Sequence, residues 1–299
     1  MTRTAISPLF AISTLENTTY LRLMPFERAK AALSGSRFAD LRWVESTGST
    51  NADVARILLE RGPGDPRTPV VLIAGHQSAG RGRRDRTWEA PPGASLLMTI
   101  GLSVAEVAPE RWSLINAALA LAAVDAAPSL RIKWPNDLVA PGAGLRGADL
   151  KVAGLLSEIH PAVSGAGPWL VAGLGMNLNW TEMPAALATT ATSLDIVLGG
   201  AVDPEMLVTD LLVSLDSRWL GLIERPTPAT EELLDAYRSR SATIGRQVSV
   251  ELDATSGGDA LLVGTAVDID ATGALVVESA KGSRRTVTVG DVVHLRPTD

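Results

Sequence analysis

Cysteine is absent from all 299 residues. That excludes disulfides, thiolate nucleophiles and cysteine–zinc sites, and it fits a reducing, cytoplasmic compartment. Lysine is nearly as scarce: it occurs only at Lys30, Lys133, Lys151 and Lys281, so most of the 27 basic residues are arginine. The three histidines, His76, His160 and His294, are spread without metal-ligand spacing, which argues against zinc. No apolar run approaches the ~18–20 residues of a membrane span. Residues 1–26 lack the basic, apolar and cleavage-site succession of a signal peptide and read as a disordered or loosely packed tail. Neither a Gly-x-Ser-x-Gly elbow nor a Walker phosphate-binding sequence is present.

What remains has the composition of a soluble globular protein, 46% hydrophobic and 20% charged, with length for one large domain and a small one. The formal net charge is −6. A general nucleic-acid binder is usually basic, because phosphate neutralisation drives its affinity. The arginines between Arg81 and Arg86 are thus a local feature of an acidic chain, and they favour a small anionic ligand over a polyanion.

Periodicity predicts helices over about 26–33, 52–60, 109–127, 204–219 and 231–238. Strands are predicted over about 70–74, 95–102, 130–133, 151–159 and 169–174. Their mixed order, with no βαβ repeat, predicts an α+β fold with a mixed sheet. After about Thr243 the texture changes to short β-like runs separated by Gly257-Gly258, Thr272-Gly273 and Lys281-Gly282, the pattern of a small β-barrel. The expected organisation is an extension over 1–40, a catalytic domain over 41–242 and a small barrel over 243–299.

Three places carry chemistry. Gly80-Arg81-Gly82-Arg83-Arg84-Asp85-Arg86-Thr87-Trp88 follows a strand-like run; glycine-rich backbone and guanidinium forks both suit phosphate. It is not a dinucleotide-binding loop, because Pro91-Pro92-Gly93 blocks the helix that such a loop needs. Ser49 and Thr50 are either helix caps or, with Gln77, donors and acceptors suited to a planar ureido or amide group. Lys133-Trp134-Pro135-Asn136-Asp137 and Lys151 place lysines beside apolar runs, where an ammonium near a cleft can neutralise a carboxylate and the phosphate it attacks. Trp88 is placed to stack on a base and Trp134 to sit in a core, while Asn136 and Asn177 are turn residues or readers of an adenine edge.

Taken in order, Gly48-Ser49-Thr50-Asn51, Gln77 to Arg84 with Trp88, Lys133 to Asp137, Lys151 to Glu158 and Gly173-Leu174-Gly175-Met176-Asn177 resemble the biotin–protein ligases over about residues 41–180. The β-rich end resembles that family's SH3-like domain. The resemblance implies a catalytic domain of the biotin/lipoate ligase, class II synthetase-like type. It also implies two steps, in which biotin and ATP form biotinyl-5'-AMP and biotin passes to a lysine of a biotin carboxyl carrier protein, the biotin domain of an acyl-CoA carboxylase. By position, Ser49, Thr50, Gln77 and Arg81 match the biotin ring site, and Gly154 and Gly173 its backbone lining. Lys151 matches the lysine on the carboxylate and acyl phosphate. Arg83 and Arg84 match the phosphate loop, and Trp88, Asn136 and Asn177 the adenine side. Lys151, Arg81 and Arg83 are the expected catalytic residues. Mg²⁺ is implied by ATP, with Asp137 as its candidate ligand.

Asp85 stands where the family usually has glycine. The first 40 residues lack a regular helix–turn–helix pattern, so a single-function ligase without DNA binding is expected, as a monomer or weak homodimer. Two other readings stay open: a lipoate–protein ligase, whose Arg-Arg-x-Ser-Gly-Gly-Gly and Lys-x-x-Gly-x-Ala segments are missing here, and a non-catalytic sensor of biotin or its adenylate. An arginine loop that orders over an adenylate is shielded from protease. Cleavage near Arg83–Arg86 should therefore slow when biotin and ATP are present, and equal cleavage rates would count against that closure.

Overall fold

The structure is a computed structural model that describes residues 26–61, 67–84, 86–161, 167–180, 182–251, 261–288 and 291–294. The tail expected before Phe26 and the departure at Asp85 lie outside the described residues. In chain order the elements are α1 (Glu27–Leu33), β1 (Leu41–Val44), α2 (Thr50–Leu59), β2 (Val70–Ala74), β3 (Ser95–Ser103) and α3 (Trp112–Ala126). Then come β4 (Arg131–Lys133), β5 (Asp137–Ala140), β6 (Leu150–His160), β7 (Trp169–Asn177), α4 (Ala185–Ala188) and α5 (Leu194–Leu198). Finally α6 (Pro204–Glu224) and α7 (Pro226–Arg240) precede β8 (Gln247–Glu251), β9 (Leu261–Ile269), β10 (Leu275–Glu278), β11 (Arg284–Val287) and β12 (Asp291–His294).

Two sheets result. Seven strands run in the order β1-β2-β3-β7-β6-β5-β4, and five C-terminal strands in the order β11-β10-β9-β8-β12. The β1–β2 pair is parallel, while β2–β3, β3–β7, β6–β7, β5–β6 and β4–β5 are antiparallel. The larger sheet is therefore mixed, as the α+β reading requires.

Strand alternation separates the sheet's two faces. Leu96, Met98, Ile100 and Leu102 of β3 and Leu170, Ala172, Leu174 and Met176 of β7 join one core with α3. Helix α3 is apolar nearly all round, with ten buried residues, as a helix packed on several sides must be. It lies between the sheet and the helices α6 and α7. On the other face, Val54, Ala55 and Leu58 of α2 pack on Val70, Leu72, Trp169 and Val171. Beyond Trp169 and Val171, the next residues of β7 on that face are Gly173, under Asn51 in the first turn of α2, and then Gly175 and Asn177. Among the described residues, no helix other than α2 packs closely on that face of β7.

Local expectations fare unevenly. Ser49 does sit at the N-cap of α2 in extended backbone, but its hydroxyl makes no capping bond; the Thr47 hydroxyl bonds to Asp53 in the first turn instead. Strands β1, β5 and β12 and the short helices α4 and α5 were not anticipated. Helix α7 begins earlier than its apolar pattern implies, because Pro226 occupies its first turn, where a missing N–H costs nothing.

The C-terminal sheet is bonded to the larger one at a specific seam. Trp134 is buried, as expected. Its backbone N–H donates to Thr243 Oγ1 at 3.0 Å and its indole N–H to the Gly273 carbonyl at 3.0 Å. Arg246 lies 2.9 Å from Asp149, and His294 lies 3.2 Å from Thr243 Oγ1 and 3.5 Å from Asp149. Burial pushes the His294 imidazole down from 6.5 to about 4; Lys133 and Arg246 add to this, and Asp149 opposes them. The folded chain holds His294 neutral while the unfolded chain protonates it near 6.5. Its contribution to stability is thus complete above about pH 6.5 and lost as pH falls through about 4. In urea unfolding across that window, His294→Gln should flatten the acid decline in stability, and an unchanged decline would remove His294 as its source.

Candidate active site

The uncovered half-face of the large sheet floors a cavity of about 520 Å³. Its lining runs from Ser49 to Val292 and draws on both sheets, because Glu251 of β8 and Val292 of β12 close one side. Five cations line it, Arg81, Arg83, Arg86, Lys133 and Lys151, against the two carboxylates Asp137 and Glu251. On a chain of net charge −6, this concentrates positive potential where an anion would bind.

One end of the polar lining is built where β2 ends beside the start of α2. The Thr47 N–H donates to the His76 carbonyl at 3.0 Å, and the Ser78 and Ala79 N–H groups return to the Thr47 and Gly48 carbonyls at 2.9 and 2.8 Å. That clamp sets Gln77 against the first turn of α2. The Thr50 N–H donates to Gln77 Oε1 at 2.7 Å, with Thr50 Oγ1 2.9 Å from the same oxygen. Gln77 can then present its NH2 group and Ser49 its hydroxyl to a ligand, the donor and acceptor mixture that a ureido group needs.

The arginine loop folds back on itself. The Trp88 N–H donates to the Gly80 carbonyl at 3.0 Å and the Gly82 N–H to the Arg86 carbonyl at 2.6 Å. Its arginines diverge. Arg81 Nη2 is 2.8 Å from Glu158, and Arg83 donates to Asn136 Oδ1 at 3.1 Å. Arg84, at φ 53°, is exposed and lies 3.4 Å from Glu251. It does not line the cavity, although the resemblance put it on the phosphate side. The physical reason is that the left-handed turn at Arg84 directs it to the C-terminal sheet.

Lys151 lies 2.6 Å from Asp137 on the neighbouring strand, where β5 pairs with β6. Its ammonium also sits 5.5 Å from the Trp88 ring centroid, within cation–π range. Trp88 covers the glycine floor: a Cβ on Gly175 would come 2.7 Å from the indole. The indole N–H is buried without a hydrogen-bond partner among the described residues, a donor left for a ligand or water.

Ser49, Thr50, Gln77, Arg81, Arg83, Trp88, Asn136, Asp137, Lys151, Gly154 and Gly173 are thus brought to one cavity. Asn177, expected on the adenine side, is not: it is buried, accepts from Ser95 Oγ at 3.2 Å and donates to the Thr192 carbonyl at 3.1 Å. Asn136 keeps its NH2 on the Leu155 carbonyl at 2.9 Å. Lys133 and Arg86, marked by their motifs, also line the cavity, as do Glu251 and Val292, which were not anticipated. Nothing local in the sequence marks the last two, which reach it from strands more than a hundred residues downstream of Lys133.

Residues 43–177 match the Biotin/lipoate A/B protein ligase family, and residues 243–295 match the Biotin protein ligase C terminal domain. The biotin--[acetyl-CoA-carboxylase] ligase of Mycobacterium tuberculosis is 38% identical over 88% of this chain and 92% of that protein. The ligase of the same description from Paracoccus denitrificans is 33% identical over 82% of this chain and 97% of its own. The biotin protein ligase of Aquifex aeolicus, solved in complex with biotin and ATP, shares the fold with a TM-score of 0.67, 23% identity and coverage of 87% and 100%.

The glycine floor yields a direct test. Gly175→Ala should destabilise the fold by about 1–3 kcal/mol, the usual cost of overpacking. Combining it with Trp88→Ala should cost less than the two single changes added together, and additivity in the denaturation cycle would show that the two do not touch.

Proposed function

We propose, from the premise that this chain belongs to the Biotin/lipoate A/B protein ligase family, that it is a biotin–protein ligase. It activates biotin with ATP and transfers it to a lysine of a carboxyl carrier protein. The observation that carries the reading is the meeting of the Gln77–Thr50 pair, the arginine loop and Lys151 in one cavity.

In the first step a biotin carboxylate oxygen bonds to the α-phosphorus of ATP, the bond to the leaving oxygen breaks, and pyrophosphate departs. In the second, the neutral amine of the carrier lysine attacks the acyl carbon, the bond to the AMP oxygen breaks, and the amine gives up a proton as AMP leaves. The nucleophiles are both substrates. The protein's part is alignment and charge stabilisation, so the absence of cysteine is no obstacle.

Ser49, Thr50 and Gln77 are assigned to the ureido ring, with the Gly154 and Gly173 backbone as floor and Arg81 at its edge. An ammonium carries three donors. The Lys151–Asp137 pair therefore leaves Lys151 with two, for the biotin carboxylate and the oxygens of the phosphate it attacks. Arg83 is assigned to the phosphates, and the Trp88 face with Asn136 to adenine. Asn177 supports that side only through the core, and Arg84 reaches the nucleotide only after leaving Glu251.

ATP brings Mg²⁺, which keeps most of its coordination in water and phosphate and takes one or two carboxylates. Asp137 fits that demand, and no cluster of three candidate ligands is found among the described residues. The ion would draw charge off the phosphates. The carrier is proposed to be the biotin domain of an acyl-CoA carboxylase, and the ligase to work in the cytoplasm as a monomer or weak homodimer without binding DNA. No helix among the described residues is long and apolar enough to cross a membrane.

ATP–pyrophosphate exchange tests the first step. Exchange should require biotin, fail with lipoate, and fall by about 10²-fold or more in Lys151→Ala, the scale of losing one transition-state donor. Exchange with lipoate instead would move the chain to the other branch of the family, and biotin binding without exchange would make it a sensor.

A further inference from the structure

The polar residues under the open half-face form one continuous chain of contacts, part of which no assignment above uses. It starts at Gln77 and Thr50. Thr50 Oγ1 lies 2.7 Å from Thr99 Oγ1, and Thr99 Oγ1 lies 2.7 Å from Asn51 Oδ1. Asn51 Nδ2 donates to the Leu156 carbonyl at 3.2 Å and to Glu158 Oε2 at 3.1 Å. The same Glu158 oxygen receives Arg81 at 2.8 Å. Thr99 has no exposed surface, and Thr50 and Asn51 are buried.

The protons assign themselves. Asn51 Nδ2 faces two acceptors, so its amide cannot be turned, and Oδ1 must face Thr99. A carbonyl oxygen only accepts, so the Thr99 hydroxyl must donate to it. Thr99 then has nothing left to donate to Thr50, and the Thr50 hydroxyl chooses between Thr99 and Gln77. Whichever it takes, the Thr50 N–H fixes Gln77 Oε1 and turns the Gln77 NH2 outward. A single buried hydroxyl on β3 therefore joins the Gln77–Thr50 pair to the Asn51–Glu158–Arg81 arm. Gly173 belongs to the same device: a Cβ there would collide with Asn51 Oδ1, so its bareness makes room for the amide as well as for a ligand.

We propose that Thr99 is a positioning residue for biotin, acting through Asn51 and Thr50 to hold Gln77 and Arg81 in one fixed relation. This rests on the biotin-ligase reading. Thr99 touches neither substrate; removing its hydroxyl unfastens groups that do.

The test is steady-state ATP–pyrophosphate exchange on the whole chain with Thr99→Val, which keeps the shape and removes the hydroxyl, and Thr99→Ser, which keeps the hydroxyl. Thr99→Val should raise the biotin KM by about tenfold, the factor expected from one lost buried hydrogen bond, with the ATP KM and kcat little changed. Thr99→Ser should restore the biotin KM. A merely structural hydroxyl predicts the opposite pattern: either an unchanged biotin KM in Thr99→Val, or equal impairment of both variants in kcat and both KM values. Either result overturns the proposal. If Thr99→Val does not fold, Glu158→Gln carries the test from the other end. It should raise the biotin KM without moving the ATP KM, and an unchanged biotin KM overturns the proposal. The unsubstituted chain is measured alongside. If it shows no biotin-dependent exchange, the ligase reading itself fails, whereas a normal parent with unaffected variants removes only the role of Thr99.

Discussion

A sheet has two faces, and here the helices cover one and a half of them. The first face is sealed by α3 and the helices behind it. The second is sealed only as far as Val54 and Leu58 of α2 reach over β2, β3 and β7. The proposed site lies on the remainder. Under the body of α2 the strand offers Trp169 and Val171; under its first turn, where Asn51 lies, and beyond it, the same face offers Gly173 and Gly175. The missing half-layer is thus written into the strand as an absence of side chains, and the volume left open is a cavity rather than a packing fault. The first turn of α2 sits at its rim, which is why Ser49, Thr50 and Asn51 line the cavity although their positions resemble those of a helix cap.

Electrostatics complete that arrangement. Cations crowded in a cavity repel one another, and two of them are steadied by carboxylates, Lys151 by Asp137 and Arg81 by Glu158. Each pair is partly exposed, so its worth to stability is small. Its effect is on position: a long flexible side chain is held in place before a ligand arrives, which lowers the ordering cost of binding. The C-terminal sheet adds to the same end. Its Thr243 and Gly273 hold both ends of Trp134, the residue between Lys133 and the turn that carries Asn136 and Asp137.

Much of this was legible in the sequence, for stated reasons. Runs of apolar residues bounded by turn residues marked β3, β6 and β7, and an all-apolar stretch marked α3. The five ordered motifs brought most of the cavity's residues together on paper, since each places residues on the lining of the same cavity. What was not legible depended on distance along the chain. Asn177 reads locally as a free amide at a strand end, but its partners are Ser95, on the adjoining strand, and Thr192, in a loop beyond. Arg84 is indistinguishable in sequence from Arg83, and only the left-handed backbone at that residue separates them. Thr99 is one hydroxyl within an apolar strand, with no local sign that it faces a polar cluster assembled from residues 50, 51 and 158. Strand β5 is too short to show a period at all.

The cavity's wall spans residues from Ser49 to Val292, and this sets a temporal condition on the enzyme. Synthesis proceeds from the N-terminus, and domains generally fold as they emerge. The glycine floor, the arginine loop and Lys151 all leave the ribosome well before β8 and β12. A nascent chain can therefore own every residue assigned to adenylate formation and still present an unwalled cleft, open to water on the side that Glu251 and Val292 will close. On the proposed function, competence to retain the adenylate waits until β8 and β12 have been made and have folded against the cleft.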